Sequence, residues 1–263
     1  MPRQLIRWVC GVVCLVASAG CAAFPASTPT PTPELSARDI AARSAQRMDA
    51  AKSLHFLIQL TGALAYIDSP PLTALKQVEG DLVRPADVKA MVKLSSFGIV
   101  TQLGLIRYGT EVFVTNPLNQ RWEELPPEWG WYINPGLIFD PKSGVTAVLP
   151  TLDLTKVGLE PIEGRPQYHL QTTAEGDYLK AWTMGMIYQG AVKVDVWIDV
   201  DTFVMSRATL VQLASDPTDP TVWHIDLSAV DQPVKIERPP TVEAAQPGPT
   251  SSAPPDATGD GHS

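Results

Sequence analysis

Three carboxylates, Asp195, Asp199 and Asp201, share the parity that puts side chains on one face of a strand, the simplest way for a sheet to gather ligands for a divalent cation. The spacing is wrong for a calcium loop, which needs D-x-[DN]-x-[DN]-G and a distal glutamate, and no glycine stands in the required place. These acids are therefore expected on a solvated outer face that ends in a turn. His55, His169 and His224 fall in separate segments without metal-ligand spacing, and structural or exposed roles are expected for them. Glu123 and Glu124 are adjacent, so on a strand they point to opposite faces and form no acid/base dyad. The chain contains no G-x-S-x-G elbow, phosphate loop, H-E-x-x-H or dinucleotide fingerprint. No catalytic residue, metal ligand or cofactor is expected, and the chain does not read as an enzyme.

Cys21 is different, because its position implies a modification. Arg3 and Arg7 precede an apolar run from Trp8 to Ala17, followed by Ser18, Ala19 and Gly20 directly before the cysteine. This is the layout of a secretory signal peptide, and about ten apolar residues are half of the ~20 needed to span a bilayer. The small residues before Cys21 resemble a bacterial lipobox, in which the thiol receives a diacylglyceryl group and becomes the first residue after cleavage. Ser18 departs from the Leu, Val or Ile usual three places before the cysteine. Cys10 and Cys14 lie within residues 1–20, so after cleavage Cys21 is the sole thiol and no internal disulfide can form. The expected location is the extracytoplasmic face of the cell membrane, held by a lipid anchor.

Residues 21–34 form a Pro/Thr-rich spacer behind that anchor, and residues 241–263 a Pro/Ser-rich tail expected to be disordered, with His262 a solvated member of it. Between them, residues 35–240 carry the patterns of a folded body. With 28 acidic against 20 basic residues the net charge is −8, the wrong sign for binding a phosphate backbone, which excludes nucleic acid as a partner.

The body opens with an amphipathic helix over residues 35–53, with Ser36 as N-cap and Ile40, Ala41, Ser44, Ala45, Met48 and Ala51 on one side. Period-two alternation follows. Leu54, Phe56, Ile58 and Leu60 alternate with polar neighbours, as do Val192 to Val200 and Trp223, Ile225 and Leu227. Further strands are expected over 72–83, 86–95, 99–108, 111–116, 165–173 and 203–214, and helices over 144–150 and 177–187. The fold class is α+β: a large curved antiparallel sheet, a half-open β-barrel, with helices covering the concave face. Whether the space under those helices is filled by side chains or by a ligand is not decided by alternation.

The order of features resembles the LppX/LprA/LprG family of lipoproteins, related in fold to the LolA and LolB carriers. The resemblance runs through KSLHFLIQLTG (Lys52 to Gly62), EGDLVRP (Glu79 to Pro85), GTEVFVTNPLNQRWEELP (Gly109 to Pro126), FDPKSGVTAVL (Phe139 to Leu149), GLEPIEGRPQYHL (Gly158 to Leu170), VWIDVDTFVMSRATL (Val196 to Leu210) and DQPVKIERPP (Asp231 to Pro240). It implies an anchored protein whose apolar cavity takes the acyl chains of a lipid or glycolipid and passes them on, in company with a membrane transporter. At about 0.8 kcal/mol per buried CH₂, an acyl chain leaves a bilayer only for an equally dry pocket.

Candidate ligand-contacting residues are Phe56, Ile58, Leu60, Leu103, Leu105, Val194, Val196, Ile198 and Leu210 from the strands, with Trp182 and Met186 from a covering helix. Trp122, Trp129, Trp131 and Tyr132 suit a loop at the membrane or at the cavity mouth. A second reading, from another class, is an envelope sensor or scaffold of the RseB type that binds a protein partner.

Overall fold

The computed structural model describes residues 34–68, 70–127, 134, 137–138 and 142–240. The signal segment, Cys21, nearly all of the spacer, Trp129, Trp131, Tyr132 and the 241–263 tail lie outside the described residues.

Helix α1 spans Ala37–Ala50. The Ser36 hydroxyl accepts from the Asp39 amide, which satisfies one of the orphan donors of the first turn. Its buried residues, Ile40, Ala41, Ser44, Ala45 and Met48, recur at the helical period, so one stripe faces the sheet. Ala51 turns extended and leads into the first strand.

Twelve strands form one antiparallel sheet: β1 (Ser53–Thr61), β2 (Ala65–Tyr66), β3 (Thr73–Val83), β4 (Asp87–Ser96), β5 (Ile99–Tyr108), β6 (Glu111–Thr115), β7 (Trp122–Glu124), β8 (Thr155–Ile162), β9 (Arg165–Glu175), β10 (Ala191–Asp199), β11 (Met205–Gln212) and β12 (Thr221–Ser228). Their order in space is β7, β6, β5, β4, β3, β1, β12, β11, β10, β9, β8, with β2 added beside β3. β7 and β8 end this path, and the sheet is open rather than closed into a barrel. The first and last strands pair at its centre, from His55 opposite Ser228 to Thr61 opposite Val222.

Among the described residues there are also two short helices, α2 (Val145–Val148) and α3 (Gly176–Leu179), α2 running into a 3₁₀ turn at Leu149–Thr151 that packs on α1. The helix expected over 177–187 is thus confined to its first turn. Met184 and Gly185 both take positive φ, 49° and 84°, which ends helical propagation. Thr183 replaces the missing ladder: its hydroxyl donates to the Leu179 carbonyl and accepts from the Ile187 amide. β8 has no counterpart in the expected strands, because its apolar residues Val157 and Leu159 point to solvent at 52% and 63% exposure, the reverse of the usual pattern.

One large core lies between α1 and the concave face of the sheet. A smaller one lies on the convex face, where Ile236 packs with Ile106 and Phe113, flanked by Val83, Trp122 and Val234. The chain after β12 therefore acts as a strap. Asp231 accepts from the Lys52 amide and pairs with Arg47, Ser53 donates to the Gln232 carbonyl, and Arg238 reaches Glu111 at 2.9 Å while its guanidinium lies 5.3 Å from the Phe113 ring centre.

Candidate functional site

The alternation of each strand, combined with the register, builds the concave face row by row. Val194, Leu210, Trp223 and Leu60 are successive neighbours in one row. A second runs Leu170, Val196, Ala208, Ile225, Ile58, Val78, Val92, Leu103. A third runs Leu227, Phe56, Gly80, Ala90, Leu105, Val114. Every strand residue nominated from sequence lies on this face, with Ile198 opposite Met205 one step further along.

The face has two unlike halves. On β10 and β11, Val194, Val196, Ile198 and Leu210 have no exposed surface, and Leu60 and Trp182 are also buried. These are held by the protein's own atoms. On β1, β3, β5 and β12, Phe56, Ile58, Val78, Leu103, Leu105, Ile225 and Leu227 pack on the core but are only half-buried, as is Met186. Small residues sit between them: Gly80 and Ala90 separate Phe56 from Leu105 in the third row. A Cβ on Gly80 would stand 2.2 Å from the Lys89 carbonyl oxygen, so the close approach of β3 to β4 requires glycine there.

Four polar groups accompany this apolar surface and find no acceptor or donor among the described residues: the Trp182 and Trp223 indole N–H groups, the Ser44 hydroxyl and Arg107 Nε. A buried donor left unpaired costs about 1–3 kcal/mol, so two indoles in one core are notable. Arg107 is buried in the row of Val88 and Val112, and its Nη1 donates to the Ala86 carbonyl. Burial lowers its pKa, against the pull of Asp87. Trp223, Val78, Ile225 and Leu227 were not among the nominated residues. The alternation of Trp223, Ile225 and Leu227 was the signal that pointed to them.

The convex face is polar but not uniformly solvated. Asp195 and Asp199, expected on an open surface, are 6% and 3% exposed. His169 sits between two carboxylates, Nδ1 2.8 Å from Glu160 Oε1 and Nε2 2.8 Å from Asp195 Oδ1, and stacks on Trp197 at 4.5 Å. Trp197 Nε1 donates to the second Glu160 oxygen at 2.8 Å, and Gln171 donates to Asp195 at 2.6 Å. Burial raises the Asp195 pKa, but hydrogen bonds from Gln171 and His169 and the Lys193 charge outweigh it and leave the group below the usual carboxylate value. The Trp197 and His169 hydrogen bonds hold Glu160 low as well. Asp199 is likewise low: the Thr202 amide and hydroxyl and the Arg165 cation overcome its desolvation. Asp201 lies past the end of β10, where its amide donates to Asp199 Oδ1. Asp195 and Asp199 therefore brace and cap the sheet, Asp201 contributes its backbone amide, and the three carboxylates do not converge. Among the described residues, no three His, Cys, Asp or Glu side chains come together as a metal site.

An open groove of about 410 Å³ also lies on the convex face, lined by His55, Gln77, Glu79, Asp81, Lys93 and Trp122 among others. His55 is tied to Asp81 at 2.8 Å, and Lys93 donates to Gln77. A groove lined by charges is no place for hydrocarbon, and the apolar rows across the sheet remain the candidate site.

With that geometry in place, a family model, LppX_LprAFG lipoprotein, matches residues 36–236. The chain belongs to the LppX_LprAFG lipoprotein family. The fold is similar to that of LprF from Mycobacterium bovis, with a TM-score of 0.61 at 18% identity, covering 77% of this chain and 96% of that one. LppX from Mycobacterium tuberculosis is similar too, with a TM-score of 0.53 at 17% identity over 75% of this chain and 97% of that one. A search of curated proteins returned no match. As a member of the LppX_LprAFG family the chain carries that family's open sheet, and no helix among its described residues is long and apolar enough to cross a membrane.

Proposed function

We propose that this protein is a membrane-anchored, extracytoplasmic lipid carrier that lays the acyl chains of a lipid or glycolipid on the half-buried part of its concave face, without covalent chemistry. The observation that carries the reading is the contrast within that face: the β10 and β11 side chains are sealed, whereas the Phe56, Ile58, Leu103 and Leu105 side retains apolar surface. Hydrocarbon laid along those rows removes apolar area from water on both partners. Family membership, the lipobox-like Cys21 and the proline-rich spacer support placement at the outer surface of the membrane.

The protein from residue 22 onward, purified without detergent, is expected to release lipid into organic solvent and to show a lipid-bound mass in native mass spectrometry. Ile58→Trp, which fills the middle row, is expected to cut uptake of a fluorescent fatty acid at least fivefold while the fold is retained. Protein that is repeatedly empty and takes up no lipid refutes the reading.

A further inference from the structure

The two ends of the sheet differ. At one end lie charged turns, with ion pairs Arg47–Asp231, Arg84–Asp49 and Arg165–Asp199. At the other, beside the Asp216–Asp219 turn between β11 and β12, the described turns around β2 to β5 end in apolar side chains that face solvent. Thr73 pairs with Ser96 and Ser96 with Ile99, while the Ile67 amide donates to the Thr73 carbonyl, so the turns around β2, β3, β4 and β5 are contiguous. They present Tyr66, Ile67, Leu72, Phe97, Ile99 and Val100, exposed by 44, 50, 45, 84, 70 and 62%.

The turn joining β4 to β5 argues that this exposure is functional. Phe97 and Gly98 form a two-residue hairpin connection with φ of 51° and 80°. Positive φ at both central positions favours Asn-Gly, and a bulky side chain at the first is strained. Here a phenylalanine occupies it and points into solvent, against both local preference and burial. Strain of this kind persists where the side chain has a task.

We propose that this rim is a second, protein-borne membrane contact, which dips Phe97 and its neighbours into the interfacial region of a zwitterionic phospholipid bilayer. The segment Leu94 to Ile106 contains no charged residue, and Asp68 is the one charge between Gly62 and Leu75. The Asp68 carboxylate is turned onto the Leu72 and Thr73 amides at 2.8 and 2.9 Å. Among the described residues the rim strands carry only Lys76 and Lys93 next to these turns, and Lys93 is taken up by Gln77, while separate protruding apolar tips suit a fluid interface. The spacer is long enough. Lys156 holds the Leu35 carbonyl at the level of the middle row, which crosses β1 at Ile58, three residues or about 10 Å from the end of that strand. The 14 residues from Cys21 to Glu34 extend to about 40 Å as a polyproline-like chain.

This contact is separate from lipid carriage, since vesicle binding requires no cargo. The test uses the chain from residue 22 onward, which has no cysteine and no anchor, in flotation with phosphatidylcholine vesicles. It is expected to float with them, with little dependence on salt or on added phosphatidylglycerol. Phe97→Asn is expected to weaken binding about tenfold while raising the midpoint of thermal unfolding, because asparagine suits the turn. Phe97→Cys carrying an environment-sensitive dye should blue-shift on adding vesicles. Leu159→Asp, which removes an exposed apolar side chain on β8 away from the rim, should bind as the parent does. The proposal is overturned if the parent fails to float, if Phe97→Asn floats unchanged, if Leu159→Asp loses binding equally, or if binding needs anionic lipid and vanishes in salt.

Discussion

Leu210 and Ile58 share the concave face, and the division of that face into packed and open halves predicts opposite consequences for truncating them. Leu210 is fully buried between Val194 and Trp223. Leu210→Ala deletes three carbons, about 2.4 kcal/mol of transfer free energy at 0.8 per methylene, and leaves a closed void that brings the cost to about 3–4 kcal/mol. Ile58→Ala also deletes three carbons, but from a half-buried side chain on the open half. About half the transfer free energy and no sealed void gives about 1 kcal/mol. For a body of this size each kcal/mol shifts the melting midpoint by roughly 2–4 °C, so Leu210→Ala should fall by about 6–16 °C and Ile58→Ala by about 2–4 °C. Fatty-acid uptake should show the reverse ranking, several-fold weaker in Ile58→Ala and near parental in Leu210→Ala at a temperature where both are folded. Circular dichroism melts and a fluorescent-lipid titration on the same samples decide it. Equal losses of stability would mean that β1 is packed as tightly as β10, leaving no surface for a guest.

Acid should weaken the convex-face network. Asp195 and Glu160 are held below the ordinary carboxylate pKa of about 4, so their contribution to stability is present above that pH and is lost as pH falls through and below it. Asp195→Asn should lower stability at neutral pH and flatten its decline below about pH 4, as read from urea unfolding across pH. Gly62 has φ of 73°, and a Cβ there would stand 2.1 Å from the Pro220 carbonyl oxygen. Gly62→Ala should therefore cost more than about 2 kcal/mol in the same unfolding assay. Cys21→Ala in cells should block incorporation of labelled fatty acid and move the protein from the membrane to the soluble fraction. Retention at the membrane would indicate an uncleaved signal helix instead.

Much of the sheet is legible in the sequence because one face of most strands meets a core. Phe56, Ile58 and Leu60 in β1 and Val192 to Ile198 in β10 alternate because solvent and core do. β8 was invisible for the converse reason: at the edge of the sheet Val157 and Leu159 face water, and Gly158 and Pro161 interrupt the run. The segment after Gly176 has helical spacing in Tyr178, Trp182 and Met186, yet two left-handed residues at 184 and 185 override that pattern. For Asp195 the missing information was lateral. Nothing near it in sequence shows that His169 and Gln171, on the neighbouring strand, will enclose it. The division of the concave face was equally hidden, since Val196 and Ile58 are alike as letters and differ only in what lies above them.

The pairing of β1 with β12 has a consequence for how the molecule comes into being. Strands β3 to β7 and β8 to β12 are each a run of neighbours that zip locally, whereas the join between the two runs waits for residues some 160–170 positions apart to meet. As the chain emerges from its N-terminus, the ribbon built on β1 must display an unpaired hydrogen-bonding margin until Ser228 has been made. That newborn half is the form most in need of a chaperone, and the strap from Asp231 to Arg238, which fastens onto it, emerges only after β12.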